Sequence, residues 1–402
     1  MPAGNAGGPS RIRRRGRISF GIAVIIMPAG SLGTPPRTIR IVIVARRSDA
    51  MKNLFYHLVA GLVRATSWVT FSRIEVRGLD RVDWDAPCIL SPNHQNAFLD
   101  ALLVGRTAPV KLTIPSRAAV FGTPFDWFLE ALRMAPIYRR RDGFDKLSRT
   151  KDILAEQRDQ LRQGRSLLMF SETEHAHTYY LRPLSRGSAR LALETQRETD
   201  RPVQLVPVGI NYYHLCWPGF KVSIVVGEPL RAPEYMDRYR EDEATCVNEL
   251  RDDLAAAMKD CMLVPEKTDE YPDRVDRINR ENEYLSFPEM KQALQAPDSL
   301  APKGDHRPWL GTLADGISVL NAGPLWLANA LMRCVDEPPF TASLKFAVGM
   351  FCLAPWWAAL FGLLTWIFSW TVGTVVGVLA VLTMLLRLVL IRLSNPPHPP
   401  VD

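Results

Sequence analysis

The segment at residues 88–100 reads CILSPNHQNAFLD and joins two apolar runs through a polar turn that contains a histidine. Its first residues, Cys88 to Leu90, have the composition of a short buried strand, and the residues from Ala97 onward have that of a helix. A strand that passes through a turn into a helix is the repeating unit of α/β proteins. This segment therefore predicts an α/β domain.

Strand-like and helical runs alternate on both sides of this segment. Strands are predicted at residues 74–76, 167–170, 203–208 and 222–226, and helices at 97–104, 126–132 and 146–163. Such alternation favours a mainly parallel sheet flanked by helices. We assign residues 73–265 to this domain.

A long apolar run lies near the C-terminus. From Phe346 to Leu386 the chain contains no Asp, Glu, Lys or Arg, which is enough for two helices of about 20 residues, the length that one bilayer crossing needs. Residues 341–395 are therefore predicted to form a transmembrane helical hairpin, with a reversal between Ser369 and Gly373. A buried helical pair in a soluble protein is the alternative.

The charges beside this run predict its orientation. Lys345 precedes it, and Arg387 and Arg392 follow it, so the positive-inside bias places both ends of the hairpin in the cytoplasm. The polar domain before the hairpin is then cytoplasmic too. These features predict a multi-pass protein of the inner (cytoplasmic) membrane.

The net charge of +7 suits an anionic membrane surface or a phosphate-bearing substrate. Nucleic acid is the rival partner for a basic protein, but no nucleic-acid-binding motif is recognisable in the sequence. The six cysteines are scattered without a C-x-x-C pair, which indicates buried thiols in a reducing compartment.

The remaining segments have weaker patterns. Residues 1–50 contain a basic cluster, an apolar run and small residues, the outline of a secretory signal, but export conflicts with a cytoplasmic domain. We interpret them as a disordered leader or as a start assigned too early, with Met51 as the natural beginning. Residues 51–72 predict an amphipathic helix that lies on a membrane or packs on the domain.

The segments on either side of the predicted hairpin are rich in proline. Residues 266–340 are charged and punctuated by prolines, and they predict a helical connection to the hairpin. Residues 396–402 are Pro-rich and predict a disordered tail.

His94 and Asp100 are the first candidates for chemistry. A histidine backed by a carboxylate makes a general base, because the acid orients the ring and stabilises the imidazolium. On one continuous helix these positions lie about 120° apart, so they meet only if His94 precedes the helix, with Asn96 as the N-cap candidate. A structural histidine with an acid in the first helical turn is the alternative.

Two further polar clusters follow predicted strands. Ser171-Glu172-Thr173-Glu174-His175, with Arg182 nearby, could orient a polyol hydroxyl and bind a phosphate, whereas a solvated turn is the alternative. A metal site in this cluster would need a second ligand group, and none has a familiar spacing. Pro136-Ile137-Tyr138-Arg139-Arg140-Arg141 places three guanidinium groups after an apolar pair, which suits phosphate binding.

Together with Val206-Pro207-Val208-Gly209, these segments resemble the four ordered blocks of the glycerolipid acyltransferase family, over roughly residues 70–235. The family includes glycerol-3-phosphate and 1-acylglycerol-3-phosphate acyltransferases. The resemblance implies that His94 is the general base and Asp100 its orienting acid. It also implies six substrate-binding residues: Arg139, Arg140, Glu172, Thr173, Asn96 and Arg182.

The sequence departs from the family pattern in two blocks. Five residues separate His94 from Asp100 where the family usually has four, as in a branch that includes fungal dual-substrate enzymes. The third block reads Phe170-Ser171-Glu172-Thr173 in place of Phe-Pro-Glu-Gly. Loss of the glycine bears on how the substrate fits, because glycine permits close backbone approach.

The resemblance implies acyl transfer from acyl-CoA or acyl carrier protein to glycerol-3-phosphate or 1-acyl-glycerol-3-phosphate in phospholipid biosynthesis. No cofactor or metal is expected. A covalent enzyme intermediate is not expected either, because the chain has no G-x-S-x-G nucleophile elbow. The alternatives are dihydroxyacetone phosphate or another lysolipid as acceptor, hydrolysis of a lipid ester, and a catalytically silent lipid-binding or membrane-scaffolding relative.

Overall fold

The computed structural model describes residues 39–117, 132–137, 147–172, 174–335 and 337–399. Within these ranges the side chains of residues 39–50, 116–117, 135–137 and 147–153 are not described. Arg139, Arg140 and Thr173, together with most of the helix predicted at residues 126–132, lie outside the described residues.

The described strands form one eight-stranded sheet. They are β1 (Ile74–Arg77), β2 (Cys88–Pro92), β3 (Leu112–Arg117), β4 (Met134–Ile137), β5 (Ser166–Leu168), β6 (Gln204–Tyr212), β7 (Val222–Val226) and β8 (Leu230–Arg231). Their order is β1-β7-β6-β2-β5-β3-β4, and β8 pairs with β6. Only the β6–β7 and β6–β8 pairings among the described strands are antiparallel. The predicted α/β fold with a mainly parallel sheet is confirmed.

The central position of β2 determines where polar loops meet. Strand β2 pairs in parallel with β5 on one side and with β6 on the other. The carboxyl ends of these three strands therefore lie at the same edge of the sheet, the usual place for a site in such folds. The turn after β2, the loop after β5 and the end of β6 converge there.

The described helices flank this sheet and extend beyond it. They are α1 (Ile39–Thr70), α2 (Ala97–Thr107), α3 (Leu147–Arg162), α4 (Gly187–Arg197), α5 (Met236–Glu241), α6 (Glu243–Asp260), α7 (Tyr271–Arg277), α8 (Phe287–Ala293), α9 (Pro308–Ile317), α10 (Ala322–Arg333), α11 (Phe340–Ile367) and α12 (Trp370–Ser394).

Alternation along the strands divides the buried apolar residues into two clusters. In β2, Leu90 belongs to the cluster that also holds side chains of α2, α7 and α8, whereas Ile89 belongs to the cluster under α3, α4 and α6. In β6, Val206 and Leu205 divide in the same way. Successive side chains of a strand point to opposite faces, so helices cover both faces of the sheet.

Helix α1 begins at Ile39, earlier than the start predicted at Met51. Its Val59 and Val63 are buried in the cluster shared with α2, whereas Leu54, Leu58 and Trp68 are exposed. One face of the amphipathic helix therefore packs on the domain, and the opposite face carries large apolar side chains.

The two C-terminal helices are long and apolar. Helices α11 and α12 contain 28 and 25 residues, with mean hydropathies of 1.8 and 2.5, and each could cross a membrane by length and composition. They pack against each other, and the chain reverses at Phe368 and Ser369. The sequence predicts the reversal between Ser369 and Gly373, so it lies at the start of that stretch, and Gly373 is inside the second helix. The Ser369 side chain accepts a hydrogen bond from the Val372 N–H and caps the second helix.

The tail after α12 differs from the predicted disorder in its described part. The Pro397 carbonyl accepts a hydrogen bond from His214 Nε2 at 3.1 Å, and the His398 ring stacks on that of His214 with centroids 5.1 Å apart. The restricted dihedrals of proline lower the entropic cost of ordering this segment, and the ring contact offsets part of the remainder.

Candidate active site

The turn after β2 brings His94 and Asp100 together. His94 precedes α2, and Asp100 lies in the first turn of that helix. The distance between His94 Nδ1 and Asp100 Oδ2 is 2.9 Å, which meets the geometric condition that the sequence set. The carboxylate therefore accepts the Nδ1–H, and this tautomer leaves a lone pair on Nε2.

Asp100 is fully buried and accepts hydrogen bonds from four groups. Its Oδ2 also accepts the backbone N–H groups of Gln95 and Asn96, both at 2.7 Å. Its Oδ1 accepts the Tyr212 hydroxyl at 2.7 Å. Burial and the neighbouring carboxylate raise the pKa of Tyr212 well above its usual value, so the hydroxyl remains a donor. Donors on both oxygens hold the carboxylate against the histidine.

Ala97 adopts a left-handed backbone conformation where the turn enters α2. Its φ is +42°, which costs an L-residue with a side chain about 1–2 kcal/mol. This conformation lets the chain change direction between His94 and the helix while the carboxylate of Asp100 stays under the turn. The five-residue spacer is thus accommodated by a strained residue at the site.

Two aromatic rings pack around the His94 side chain. The Phe170 ring stacks on it with centroids 3.8 Å apart and an interplanar angle of 15°. The His175 ring contacts it edge to face with centroids 5.2 Å apart. Both residues lie in the loop after β5, so the third block of the sequence restricts the rotation of the imidazole.

Glu172 joins the same two loops through its backbone contacts. Its Oε2 accepts the His94 N–H at 2.6 Å, and its Oε1 accepts the Arg182 N–H at 2.7 Å. Burial raises the pKa of Glu172 to about 7, although these two N–H groups and the Arg182 charge lower it. Both carboxylate oxygens therefore bind backbone N–H groups, and Glu172 links the turn that carries His94 to the residues after β5.

A chain of three buried hydroxyls accounts for the serine in the third block. The Ser171 Oγ lies 2.6 Å from the Oγ of Ser91 and 2.6 Å from that of Ser188. These residues belong to β2, to the loop after β5 and to α4. Where the family has proline, this chain has a hydroxyl that links the three elements.

Asn96 lies at the N-cap position but does not cap α2 with its side chain. Its Oδ1 lies 3.1 Å from His177 Nε2, and its side chain is fully buried. Burial lowers the pKa of His177 to about 4, so this imidazole is neutral at pH 7 and its Nε2–H can donate to the amide. The Leu99 N–H, which an N-cap side chain could satisfy, instead donates to the Ser343 Oγ.

The first apolar C-terminal helix also contacts the site. The Ser343 hydroxyl donates to the Asn96 carbonyl at 2.6 Å, and the Leu99 N–H donates to the Ser343 Oγ at 3.1 Å. Just before this helix, Glu337 Oε2 lies 2.6 Å from His175 Nε2. Helix α11 therefore begins against the turn that holds His94 and Asp100.

Of the predicted site residues, the structure brings together His94, Asp100, Asn96 and Glu172. The backbone of Arg182 binds Glu172, while its side chain donates to the Glu174 carbonyl at 2.9 Å. Sequence reasoning missed Tyr212, whose position at the end of the strand of the fourth block was the available signal. It also missed Ser343, because no local pattern links this residue to a turn far away in the chain.

One family model matches the segment that contains this candidate site. Residues 73–211 match the family model described as Acyltransferase. Among solved structures, the chain is similar to the 1-acyl-sn-glycerophosphate (LPA) acyltransferase PlsC from Thermotoga maritima, with 19% sequence identity and a TM-score of 0.38 over 54% of this chain and 88% of that chain. A search of curated proteins finds no match. The matched segment contains every residue of the turn that holds His94 and Asp100.

Proposed function

Because residues 73–211 form a domain of the acyltransferase family, we propose that the protein transfers a fatty acyl group to glycerol-3-phosphate or 1-acyl-glycerol-3-phosphate. The donor is acyl-CoA or acyl carrier protein, and the product enters phospholipid biosynthesis. The observation that carries this proposal is the 2.9 Å contact between His94 Nδ1 and the buried Asp100 carboxylate. A silent lipid-binding or scaffolding relative would not need this geometry.

In the proposed reaction, His94 Nε2 takes the proton of the acceptor hydroxyl while the oxygen attacks the thioester carbonyl carbon. Asp100 stabilises the imidazolium that forms. The tetrahedral intermediate then expels the thiolate, the ester carbonyl forms again, and the imidazolium returns its proton to the sulfur. The products are the glycerol ester and the free thiol.

Direct transfer fits the serines near the turn. The hydroxyl of Ser171 lies within hydrogen-bond distance of Ser91 and Ser188, so it is engaged away from the imidazole. An acyl-serine intermediate would need a serine hydroxyl bonded to the base. We therefore propose a ternary complex of enzyme, donor and acceptor, without cofactor or metal.

Arginines supply the acceptor phosphate site in this proposal. Strand β4 ends at Ile137, and Arg139 and Arg140 follow it in sequence. Arg182 follows β5 and is tied to the turn through Glu172. Guanidinium groups bind phosphate in bidentate fashion, so we propose that these arginines bind the phosphate while Glu172, with Thr173 beside it, places the glycerol portion by fixing the loop.

We further propose that α11 and α12 span the inner membrane and hold the catalytic domain at its cytoplasmic face. Lys345 lies near the start of α11 and Arg392 near the end of α12, and the positive-inside bias supports a cytoplasmic position for both of these ends. Fatty acyl chains partition into membranes, and helix α11 begins at the catalytic turn through Ser343. This position would let the acyl donor approach the site from the bilayer.

Transfer of labelled acyl groups tests the proposal. Membranes containing wild-type protein or His94→Ala receive labelled acyl-CoA or acyl carrier protein with glycerol-3-phosphate, 1-acyl-glycerol-3-phosphate or dihydroxyacetone phosphate in separate reactions. We expect the acyl-transfer rate of the variant to be at least about 10³-fold lower than that of the wild type, because the general base is removed. His57→Ala, a change of an exposed histidine on α1, should retain full activity.

The acceptor panel also separates the alternatives. Transfer to only one acceptor identifies the substrate. Release of free fatty acid without an acylated product would indicate a hydrolase. Folded protein that gives no product with any acceptor and either donor would contradict acyl transfer and support the silent relative.

A further inference from the structure

A second apolar segment precedes the C-terminal helical pair. From Pro308 to Met332 the chain contains one charged residue, Asp315. This segment forms α9 and α10, which have 10 and 12 residues. Because a single crossing needs about 20 residues, neither helix could span a bilayer alone.

Helix α9 runs antiparallel to α12. It begins beside the C-terminal end of α12, which the proposed function places at the cytoplasmic side, and it ends near the middle of α12. The Arg307 N–H donates to the Ser394 carbonyl at 2.7 Å, at the end of α12. Further along, Arg387 pairs with Asp315 at 2.5 Å. The contacts reach Ala380, about 20 Å along the helix from Ser394 and about 15 Å from Trp370 at a rise of 1.5 Å per residue, so they end close to the middle of a helix that could cross a hydrocarbon core of about 30 Å.

The turn between α9 and α10 is fastened to the middle of both long helices by Asn321. This fully buried amide donates to the Ala380 carbonyl at 2.9 Å and to the Thr383 hydroxyl at 3.2 Å, and its Oδ1 accepts the Trp357 indole N–H at 2.8 Å. Beside it, the Trp356 N–H donates to the Leu320 carbonyl at 2.8 Å. Polar groups inside a bilayer require partners within the protein, and here the turn has them.

Close packing supports the same arrangement. A Cβ added at Gly323, at the start of α10, would lie 2.5 Å from the ring of Trp356. Helix α10 packs against α11 and leads the chain back to Phe340, where α11 begins beside the catalytic turn. The two short helices thus enter and leave at the same end of the long pair.

The opposite faces of these helices carry large apolar side chains. Trp309, Val319 and Trp326 are 62%, 71% and 71% exposed, and many apolar side chains of α11 and α12 are exposed as well. Exposed apolar surface of this amount is costly in water, whereas lipid acyl chains satisfy it. The lone acid is neutralised by Arg387, and charged residues return at Arg307 and Arg333, on either side of the segment.

We propose that α9 and α10 form a re-entrant helical hairpin that enters the bilayer from the cytoplasmic side, turns near mid-depth at residues 318–321 and returns to the same side. This inference rests on the membrane-spanning pair in the proposed function. The occupant of the exposed faces is the hydrocarbon of the lipid bilayer.

Cysteine labelling of the full chain in membrane vesicles tests this topology. Cys334 and Cys352 are first replaced by serine and alanine, and the remaining native cysteines must not label in that background. Single reporters are then introduced as Asp305→Cys before α9, Val319→Cys at the turn and Ser369→Cys between the long helices. Each is treated with a membrane-impermeant maleimide in inside-out and right-side-out vesicles.

We expect Asp305→Cys to label only from the cytoplasmic side and Ser369→Cys only from the opposite side. Val319→Cys should label from neither side in intact vesicles, yet react with a membrane-permeant maleimide. A bimane attached there should be quenched at least twofold more by nitroxide near the end of the lipid acyl chain than by nitroxide near the headgroup.

Two outcomes would overturn the inference. Labelling of Val319→Cys from the cytoplasmic side would place the hairpin at the membrane surface, and labelling from the opposite side would make it a full crossing. Failure of the spanning pair is distinguished by Ser369→Cys, which would then label from the cytoplasmic side.

Discussion

The turn after β2 and the loop after β5 each carry a buried carboxylate, and the two are satisfied differently. Asp100 accepts hydrogen bonds from the His94 ring, two backbone N–H groups and the Tyr212 hydroxyl. Glu172 accepts two backbone N–H groups, and burial raises its pKa to about 7. Asp100 contacts the His94 ring directly, whereas Glu172 contacts His94 only through its backbone N–H.

This difference shows that burial alone does not define the role of a site carboxylate. The charge of a buried acid is compensated by the donors around it, so the number and kind of donors determine what the acid can do. Four donors around Asp100 suit a carboxylate that faces an imidazolium. Two backbone donors suit an acid that fixes a loop and that can take up a proton near neutral pH.

Asp100→Asn should have the largest effect within this pair. The N–H groups of Gln95 and Asn96 require an oxygen at the position of Oδ2, so the amide oxygen should still face His94 while the Tyr212 hydroxyl turns to accept the amide NH₂. The change therefore removes the charge and preserves the geometry. We expect kcat to fall about 10²- to 10⁴-fold in the acyl-transfer assay.

The matched control is Asp85→Asn, a change of an exposed acid just before β2. It should leave kcat within about twofold of wild type, since a surface charge contributes little. Wild-type activity in Asp100→Asn would show that the carboxylate does not stabilise an imidazolium.

Glu172→Gln should have a smaller effect on activity and a distinctive effect on stability. One of the two backbone N–H groups would face the amide NH₂, so we expect kcat/KM to fall about 10-fold through displacement of the turn. In the wild type the pKa of Glu172 is about 7 when folded against a usual value of 4.5, so the folded state binds more protons between these pH values. The contribution of Glu172 to stability is therefore lost as pH rises from 4.5 to 7.

The variant lacks this proton uptake, so its free energy of unfolding relative to wild type should rise between pH 4.5 and pH 7, by about 3 kcal/mol at most. Its melting temperature relative to wild type should rise over the same pH range. Differential scanning fluorimetry in detergent from pH 4.5 to 8 measures it. Taking the difference between variant and wild type cancels the opposite contribution of His177, whose neutral form is favoured by burial. Exposed Glu234→Gln provides the control, and a flat difference for Glu172→Gln would contradict a raised pKa.

The sequence predicts the strands that have continuous apolar runs, but it does not predict β3 and β8. Val222–Val226 is observed as predicted, whereas β6 continues beyond the predicted end at Val208 to Tyr212. The extension escaped prediction because Asn211 and Tyr212 are polar residues in a buried strand, and their partners come from other elements. A local sequence pattern identifies buried apolar side chains, but it does not identify polar side chains that are buried with a hydrogen-bond partner.

The same limit applies to the candidate site. His94 and Asp100 could be paired from their spacing because a turn precedes the helix. The two backbone contacts of Glu172, by contrast, depend on β5 lying beside β2, which is a property of the sheet order. Ser343 is further removed still, because its contact with the Asn96 carbonyl requires the apolar hairpin to dock on the domain.

Tyr212→Phe should have the smallest effect on rate and the clearest effect on pH dependence. It removes the hydroxyl that donates to Asp100 Oδ1 and changes little else in volume. A carboxylate that has lost a donor stabilises the imidazolium more strongly. The acid limb of the pH profile of kcat/KM should therefore move to higher pH by about half to one unit. We expect kcat to fall about threefold to tenfold at neutral pH.

The neighbouring residue supplies a matched control for this prediction. Tyr213 lies next to Tyr212 in the chain, and its buried hydroxyl has no hydrogen-bond partner among the described residues. Tyr213→Phe should therefore leave the acid limb in place, whereas a general packing defect would affect both variants. Only a group coupled to the Asp100 carboxylate changes the pH at which the base takes up its proton. If Tyr212→Phe lowers the rate without moving the acid limb, the hydroxyl therefore supports the strand and not the charge of Asp100.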